Sequence, residues 1–302
     1  MSTAISTAGR FGLICLVGAG LSAGTGGLLG MMLLRATGLS PVSVAACRLA
    51  VGGLLLIALL TVTRRPLPRD TSAWRRIGVV AVLVAIIQAS YFGAVAASSV
   101  SLATLVTLGM SPVVVSLLEH LTGRRLLDRR RVATIGIAVF GVILLVGAPA
   151  DDAASGGIFA GAAMALVSAC AFATLTLISA RPVPGLDVIT TTGFAVTGGA
   201  VLLTPLAAIS GLTFHPTSHS VVLVIVFGLI STAVAYTLYL RGLSEVGAGT
   251  AAVLALLEPL TSTILAAAIL GERLTPTGLV GAALLTAALV HTSLQPVRSS
   301  DR

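Results

Sequence analysis

Ten apolar segments follow one another along the chain, at approximately 11–34, 41–62, 77–97, 99–121, 132–148, 157–180, 187–209, 220–240, 247–270 and 276–293, and the longest polar connection between them is 63–76. The hydrocarbon core of a bilayer is about 30 Å thick and takes about 20 helical residues to cross. Each segment therefore reads as one membrane-spanning helix, whose backbone hydrogen bonds are satisfied internally, as lipid requires. With 56% of residues apolar and 9% charged, nothing remains from which to build a soluble catalytic domain. The expected fold class is all-α and integral to the membrane, with ten transmembrane helices. The stretch before the first of them is short, and that first segment is too long, and too soon followed by a second, to be a cleaved signal peptide.

All 18 basic residues are arginine, and alternate connections share them unevenly. With the N-terminus in the cytoplasm, fifteen fall inside: Arg10; Arg64, Arg65, Arg69, Arg75 and Arg76; Arg124, Arg125, Arg129, Arg130 and Arg131; Arg181; Arg241; Arg298 and Arg302. Only Arg35, Arg48 and Arg273 are left over. The positive-inside rule then places both termini in the cytoplasm, and the absence of lysine fits a GC-rich bacterial genome and hence an inner membrane. The net charge of +8 marks topology, and no nucleic-acid partner is expected.

Two halves are visible. Gly123-Arg124-Arg125-Leu126 aligns with Gly271-Glu272-Arg273-Leu274, and Ser111-Pro112 with Glu258-Pro259, at offsets of 148 and 147. The expected units are 1–150 and 151–302, five spans each. An odd number of spans turns the second unit upside down in the membrane. The connections agree, since the arginine-rich 64–76 and 124–131 correspond to 211–218, which is uncharged, and 271–278, which carries few charges.

The ninth segment carries the feature around which a site is expected. Counting about 1.5 Å per residue from Gly247 places Glu258 roughly 17 Å along, near mid-depth. A carboxylate there costs about 2.5–3.5 kcal/mol on insertion scales, so Glu258 is expected to turn from lipid toward the bundle interior. Pro259 cannot donate to the carbonyl of Ala255, which leaves a freed acceptor at the same depth. In the fourth segment Pro112 does the same to Leu108, beside Thr107 and Ser111, as a kink or as part of a cavity wall. Arg48, inside the second segment, either snorkels to outer headgroups or attracts a substrate carboxylate. Gln88 and Tyr91 share a face of the third segment that should point inward, toward a neighbouring helix or a substrate. Tyr236 and Tyr239 read as an aromatic belt or, for Tyr236, as a cavity residue, and Trp74 as an interfacial anchor.

Other features read blandly. Gly18-x-Gly20-x2-Ala23 matches a dinucleotide fingerprint but lacks the following acid. Gly20-x3-Gly24, Gly26-x3-Gly30 and Gly157-x3-Gly161 fit close helix packing instead, of span one on span six. Glu119 and His120 form an interfacial charge cluster with Arg124 and Arg125. Cys15, Cys47 and Cys170 are small apolar fillers. Asp151 and Asp152 lack the further carboxylates of a metal site, and His215, His219 and His291 lack ligand spacing.

Pro41-x6-Arg48, the mid-span prolines Pro112 and Pro259, and Leu257-Glu258-Pro259 followed by Leu270-Gly271-Glu272-Arg273-Leu274 resemble the EamA repeats of the drug/metabolite transporter superfamily. One departure is that Arg124 stands where the family motif has glutamate. The resemblance implies secondary transport, often export of amino acids or related compounds, through a central cavity between the halves. The expected activity is export of small polar metabolites by alternating access, with candidates Glu258, Arg48, Gln88, Tyr91, Thr107, Ser111 and Tyr236, and with Pro112 and Pro259 breaking the helices. No ATP-binding motif is present, so energy comes from a substrate gradient or from protons, Glu258 being the mid-depth carboxylate. An uncoupled facilitator is the alternative, recognised by a flux that ignores a pH gradient. A polytopic enzyme such as a lipid-modifying transferase would cluster Asp, His or metal ligands at one face; without such a cluster no enzymatic activity, metal or other cofactor is expected. The expected partners are a small metabolite and the lipid bilayer, with protons and a second copy of the chain in a homodimer as open candidates.

Overall fold

The computed structural model describes residues 7–98, 100–123, 128–146, 155–181, 183–211, 217–270 and 276–294. Arg124, Arg125 and Leu126, the stretch Gly271-Glu272-Arg273-Leu274, Asp151, Asp152 and His215 lie outside the described residues.

The described elements are helices. They are α1 (Thr7–Thr37), α2 (Pro41–Val62), α3 (Thr71–Ala97), α4 (Val100–Leu121), α5 (Arg129–Val146), α6 (Ser155–Ser179), α7 (Val188–Ile209), α8 (Ser218–Gly228), a π-helical turn (Leu229–Val234), α9 (Ala235–Val246), α10 (Ala248–Leu254), α11 (Leu257–Leu270) and α12 (Pro276–Leu294). Among the described residues nine stretches are long and apolar enough to cross a membrane; α8 through α9 make one, and α10 with most of α11 another. Helix α5 is 18 residues long but opens on three arginines, and this charged first turn keeps it below that standard.

Local chemistry sets several boundaries. Helix α2 starts where the Ser40 hydroxyl accepts the Ser43 N–H at 3.2 Å and Pro41 takes the first turn, a position where its missing donor costs nothing. Helix α8 opens on a reciprocal cap between Thr217 and Ser220. Helix α3 begins at Thr71, earlier than the apolar run suggests, because Trp74, Arg75 and Arg76 continue the helix into the interface. Between α9 and α10 the chain turns at Gly247 with φ +84, where any other residue would be strained.

The packing crosses between the two halves of the chain. Helix α2 lies along α7 and against α8; α5 lies along α12; α1 packs on α9 and α11; α6 packs on α3 and α4; α3 packs on α7. The expected contact of span one with span six is therefore corrected, since their glycines serve other neighbours. A Cβ on Gly20 would lie 2.7 Å from Leu257 Cβ, one on Gly24 would lie 2.9 Å from the Glu258 carbonyl oxygen, and one on Gly157 would lie 2.6 Å from the Ala97 oxygen. Close helix approach through small residues gives dispersion contact where lipid supplies no hydrophobic drive.

Candidate functional site

The ninth segment is not one unbroken helix. Helix α10 ends at Leu254, residues Ala255 and Leu256 form a turn, and α11 restarts at Leu257. Proline is the reason, but not through an orphaned acceptor as expected. The Glu258 N–H reaches back to the Ala255 carbonyl at 3.0 Å, and the Leu256 N–H to Val253 at 3.0 Å. These tighter bonds, spanning three residues, take up the acceptor that Pro259 cannot serve. The break places Glu258 in the first turn of α11, at the positive end of a helix dipole. Its side chain is partly buried, and among the described residues none forms a hydrogen bond or ion pair with its carboxyl group.

Four other sequence candidates gather around that carboxyl. Arg48 on α2 and Glu258 act electrostatically on one another, and both act on the hydroxyls of Tyr91 on α3 and Tyr236 on α9. The Arg48 guanidinium sits over the Phe227 ring at 5.4 Å, a cation–π contact, and among the described residues it forms no ion pair. It points into the bundle rather than to outer headgroups. Gln88 is 4% exposed and lies close to the Tyr236 hydroxyl, and the Tyr91 hydroxyl shares a hydrogen bond with Thr104 at 2.9 Å. Arg48, Gln88 and Tyr91 come from the first half of the chain, Tyr236 and Glu258 from the second.

The aromatic-belt reading of Tyr236 and Tyr239 is corrected by the same contacts. Tyr239 is buried, bonds Thr176 at 2.8 Å and packs on Phe172. The π-helical turn just before them has a wider turn, which changes the face its successors present. Its Ser231 hydroxyl meets Thr25 of α1 at 2.8 Å. Neither this turn nor Phe227 carries a local sequence signal, because both depend on where α1 and α2 cross the eighth span.

Thr107 and Ser111 are buried on α4, but their protons are committed. Thr107 donates to the Ala165 carbonyl at 3.3 Å and Ser111 to that of Thr107. Helix α4 runs through Pro112 without a break. Trp74 donates to the Pro68 carbonyl at 3.0 Å and meets Phe194 edge-on. Of the cysteines, Cys15 is buried, Cys47 is partly buried and Cys170 is exposed, so only the first is an interior filler. Among the described residues no group of His, Cys, Asp and Glu is arranged to hold a metal.

At the arginine-rich end, Glu119 of α4 pairs with Arg131 of α5, and a Cβ on Gly249 of α10 would collide with that guanidinium. The expected cluster of Glu119 with Arg124 and Arg125 thus has a different described partner. A second pair, Arg65–Asp187 at 2.8 Å, joins the end of α2 to the start of α7.

Three comparisons with known proteins bear on this geometry. The model of the EamA-like transporter family matches twice, over residues 10–147 and 159–294. The chain is 30% identical over 259 residues to a Bacillus subtilis (strain 168) protein named "Uncharacterized transporter YwfM", covering 85% of this chain and 86% of that one. A solved structure described only as "Crystal structure of protein" superposes with a TM-score of 0.77 at 18% identity, over 93% of this chain and 94% of its own. That last likeness concerns the fold alone.

Proposed function

This chain belongs to the EamA-like transporter family, and from that premise we propose that it exports small polar metabolites, amino acids or related compounds, across a bacterial inner membrane. It is a multi-pass membrane protein of a transporter family. In our reading α5 is the tenth crossing, residues 1–150 and 151–302 are inverted repeats, and both termini are cytoplasmic. The packing supports the repeat. Exchanging each span for its counterpart five places on maps the main contacts onto one another: α1 on α9 and α11 becomes α6 on α3 and α4, α3 on α7 becomes α8 on α2, and α2–α7 and α5–α12 map onto themselves.

The observation that carries the functional reading is the polar cluster between the halves, in which the Glu258 carboxyl and the Arg48 guanidinium face one region without forming an ion pair. Two opposite charges held apart suit a substrate carrying both an anionic and a cationic group. Rocking of one half against the other changes this cluster directly, because it is built from both. Glu258 takes a proton from one side as substrate leaves and releases it as substrate binds from the other.

Glu258→Gln in proteoliposomes keeps the shape and cannot titrate. Uptake driven by a pH gradient is expected to fall to background while substrate-for-substrate exchange persists. Gradient-driven uptake by folded mutant protein removes Glu258 as the proton carrier and favours the uncoupled facilitator. Topology is tested separately: in a Cys-free background, single cysteines at Asp152 and Ser218 should label from outside and one at Asp128 should not, and reversed labelling overturns the inversion.

A further inference from the structure

A cavity of about 150 Å³ lies away from that cluster, among α3, the end of α6, its connection to α7, and α9. Two guanidinium groups line it, Arg76 from α3 and Arg181 just past α6, close enough to act on each other as like charges. Among the described residues neither forms an ion pair, and Asp187, the acid of the same connection, is occupied by Arg65 at 2.8 Å. Arg76 gives one N–H to the Ile178 carbonyl, and a guanidinium has five. The Ser179 hydroxyl oxygen, on the same wall, is buried without a hydrogen-bond partner among the described residues. Thr191 and Ser244, also on the wall, already donate to the carbonyls of Asp187 and Arg241.

Among the described residues the lining therefore offers two cations with no counter-charge, above a buried and unpaired hydroxyl, in a space below the roughly 300–1,000 Å³ of drug-sized sites. Guanidinium forks match the oxygens of phosphate in geometry and charge. We propose that this cavity is a second ligand site, separate from the transport cluster, that binds a compact phosphate-bearing anion. Basic pockets between spanning helices accept anionic lipid headgroups, and free phosphate carries the same chemistry. Arg76 comes from the first half of the chain and Ser179 and Arg181 from the second, so a bound anion ties the halves together at this end.

The test uses the purified full chain in detergent. Thermal midpoints are followed while inorganic phosphate is titrated against chloride at equal ionic strength, and separately while phosphatidylglycerol is titrated against phosphatidylcholine in mixed micelles. The wild type should show a saturable rise. Arg181 is exposed at the rim, so Arg181→Gln should fold normally and need at least tenfold more anion for half the rise. Arg75→Gln, an exposed neighbour that does not line the cavity, should respond as wild type does. Arg76→Gln should repeat the effect, and if it does not fold, Arg181→Gln decides. A rise with phosphate identifies a site open to the free ion, and a rise with phosphatidylglycerol alone identifies a lipid headgroup site. No rise with either beyond its control, or an unchanged response in Arg181→Gln, overturns the proposal.

Discussion

The fourth and ninth segments carry prolines at matching positions, 147 residues apart, yet one helix continues and the other breaks. In α4 the residue before Pro112 is a serine whose hydroxyl bonds the Thr107 carbonyl, and the helix runs through. In the ninth segment the residue before Pro259 is Glu258, whose backbone N–H folds back on Ala255 and closes a tight turn. The neighbours differ as well. Helix α11 is held by α1, with Gly20 and Gly24 against Leu257, Thr261 and the Glu258 backbone. A mid-span proline therefore permits a break without dictating one. The preceding residue and the packing partner select the outcome, and in this chain they reserve the break for the carboxylate.

The largest effect expected of this contrast comes from filling the α1–α11 contact. Gly24→Val sets side-chain atoms against Thr261 and the Glu258 carbonyl, where overpacking costs about 1–3 kcal/mol or more, and it should abolish both transport and a stable fold in detergent. Gly109→Ala in α4 has its nearest neighbour at 3.9 Å, so it should gain up to about 1 kcal/mol of helix stability and keep its activity. Equal loss in both would end the claim that α11 is the constrained element.

Next in size is the proline pair itself. Each proline-to-alanine change removes a helix penalty of up to about 3 kcal/mol, so both variants should melt higher. Pro259→Ala restores an N–H that competes for the Ala255 carbonyl, which straightens the segment and moves Glu258; transport should fall tenfold or more in intact protein. Pro112→Ala changes a helix that is already continuous, and transport should stay within about twofold, since no bond that α4 makes depends on that proline. Similar transport by the two variants would make the break incidental.

The smallest effect separates the two charges. Arg48→Gln should weaken binding of a carboxylate substrate at least about tenfold, the lower range for a hydrogen bond to a charged group, and change a neutral analogue little. Equal loss for both would mean that Arg48 only packs on Phe227.

The helices, their order and the inward position of several polar residues are legible because they depend on composition and spacing. Arg48, Gln88, Tyr91 and Glu258 stand out as polar groups in apolar runs, and the cost of exposing them to lipid already implies that they face inward. What was not legible depends on the pairing of helices. Span one was assigned to span six because both are glycine-rich, yet glycine spacing says how closely a helix can approach and not which partner it meets. Position near the end of the eighth segment leaves Tyr236 between an aromatic belt and a cavity wall, and it does not reveal the π-helical turn at Leu229–Val234 that precedes it. The carbonyl of Ala255 looked orphaned because the rescue by Glu258 is a backbone rearrangement that no side chain announces.

The Glu119–Arg131 pair that abuts Gly249 has a consequence for ionic strength. Its side chains are 10% and 18% exposed, so mobile ions, which screen exposed charges over about 8–10 Å at ordinary salt, act on it only weakly. The Arg65–Asp187 pair, 43% and 38% exposed, lies open to that screening. Added salt therefore weakens the Arg65–Asp187 link between α2 and α7 while sparing the link between α4 and α5, so the two ion pairs respond unequally to the same solution.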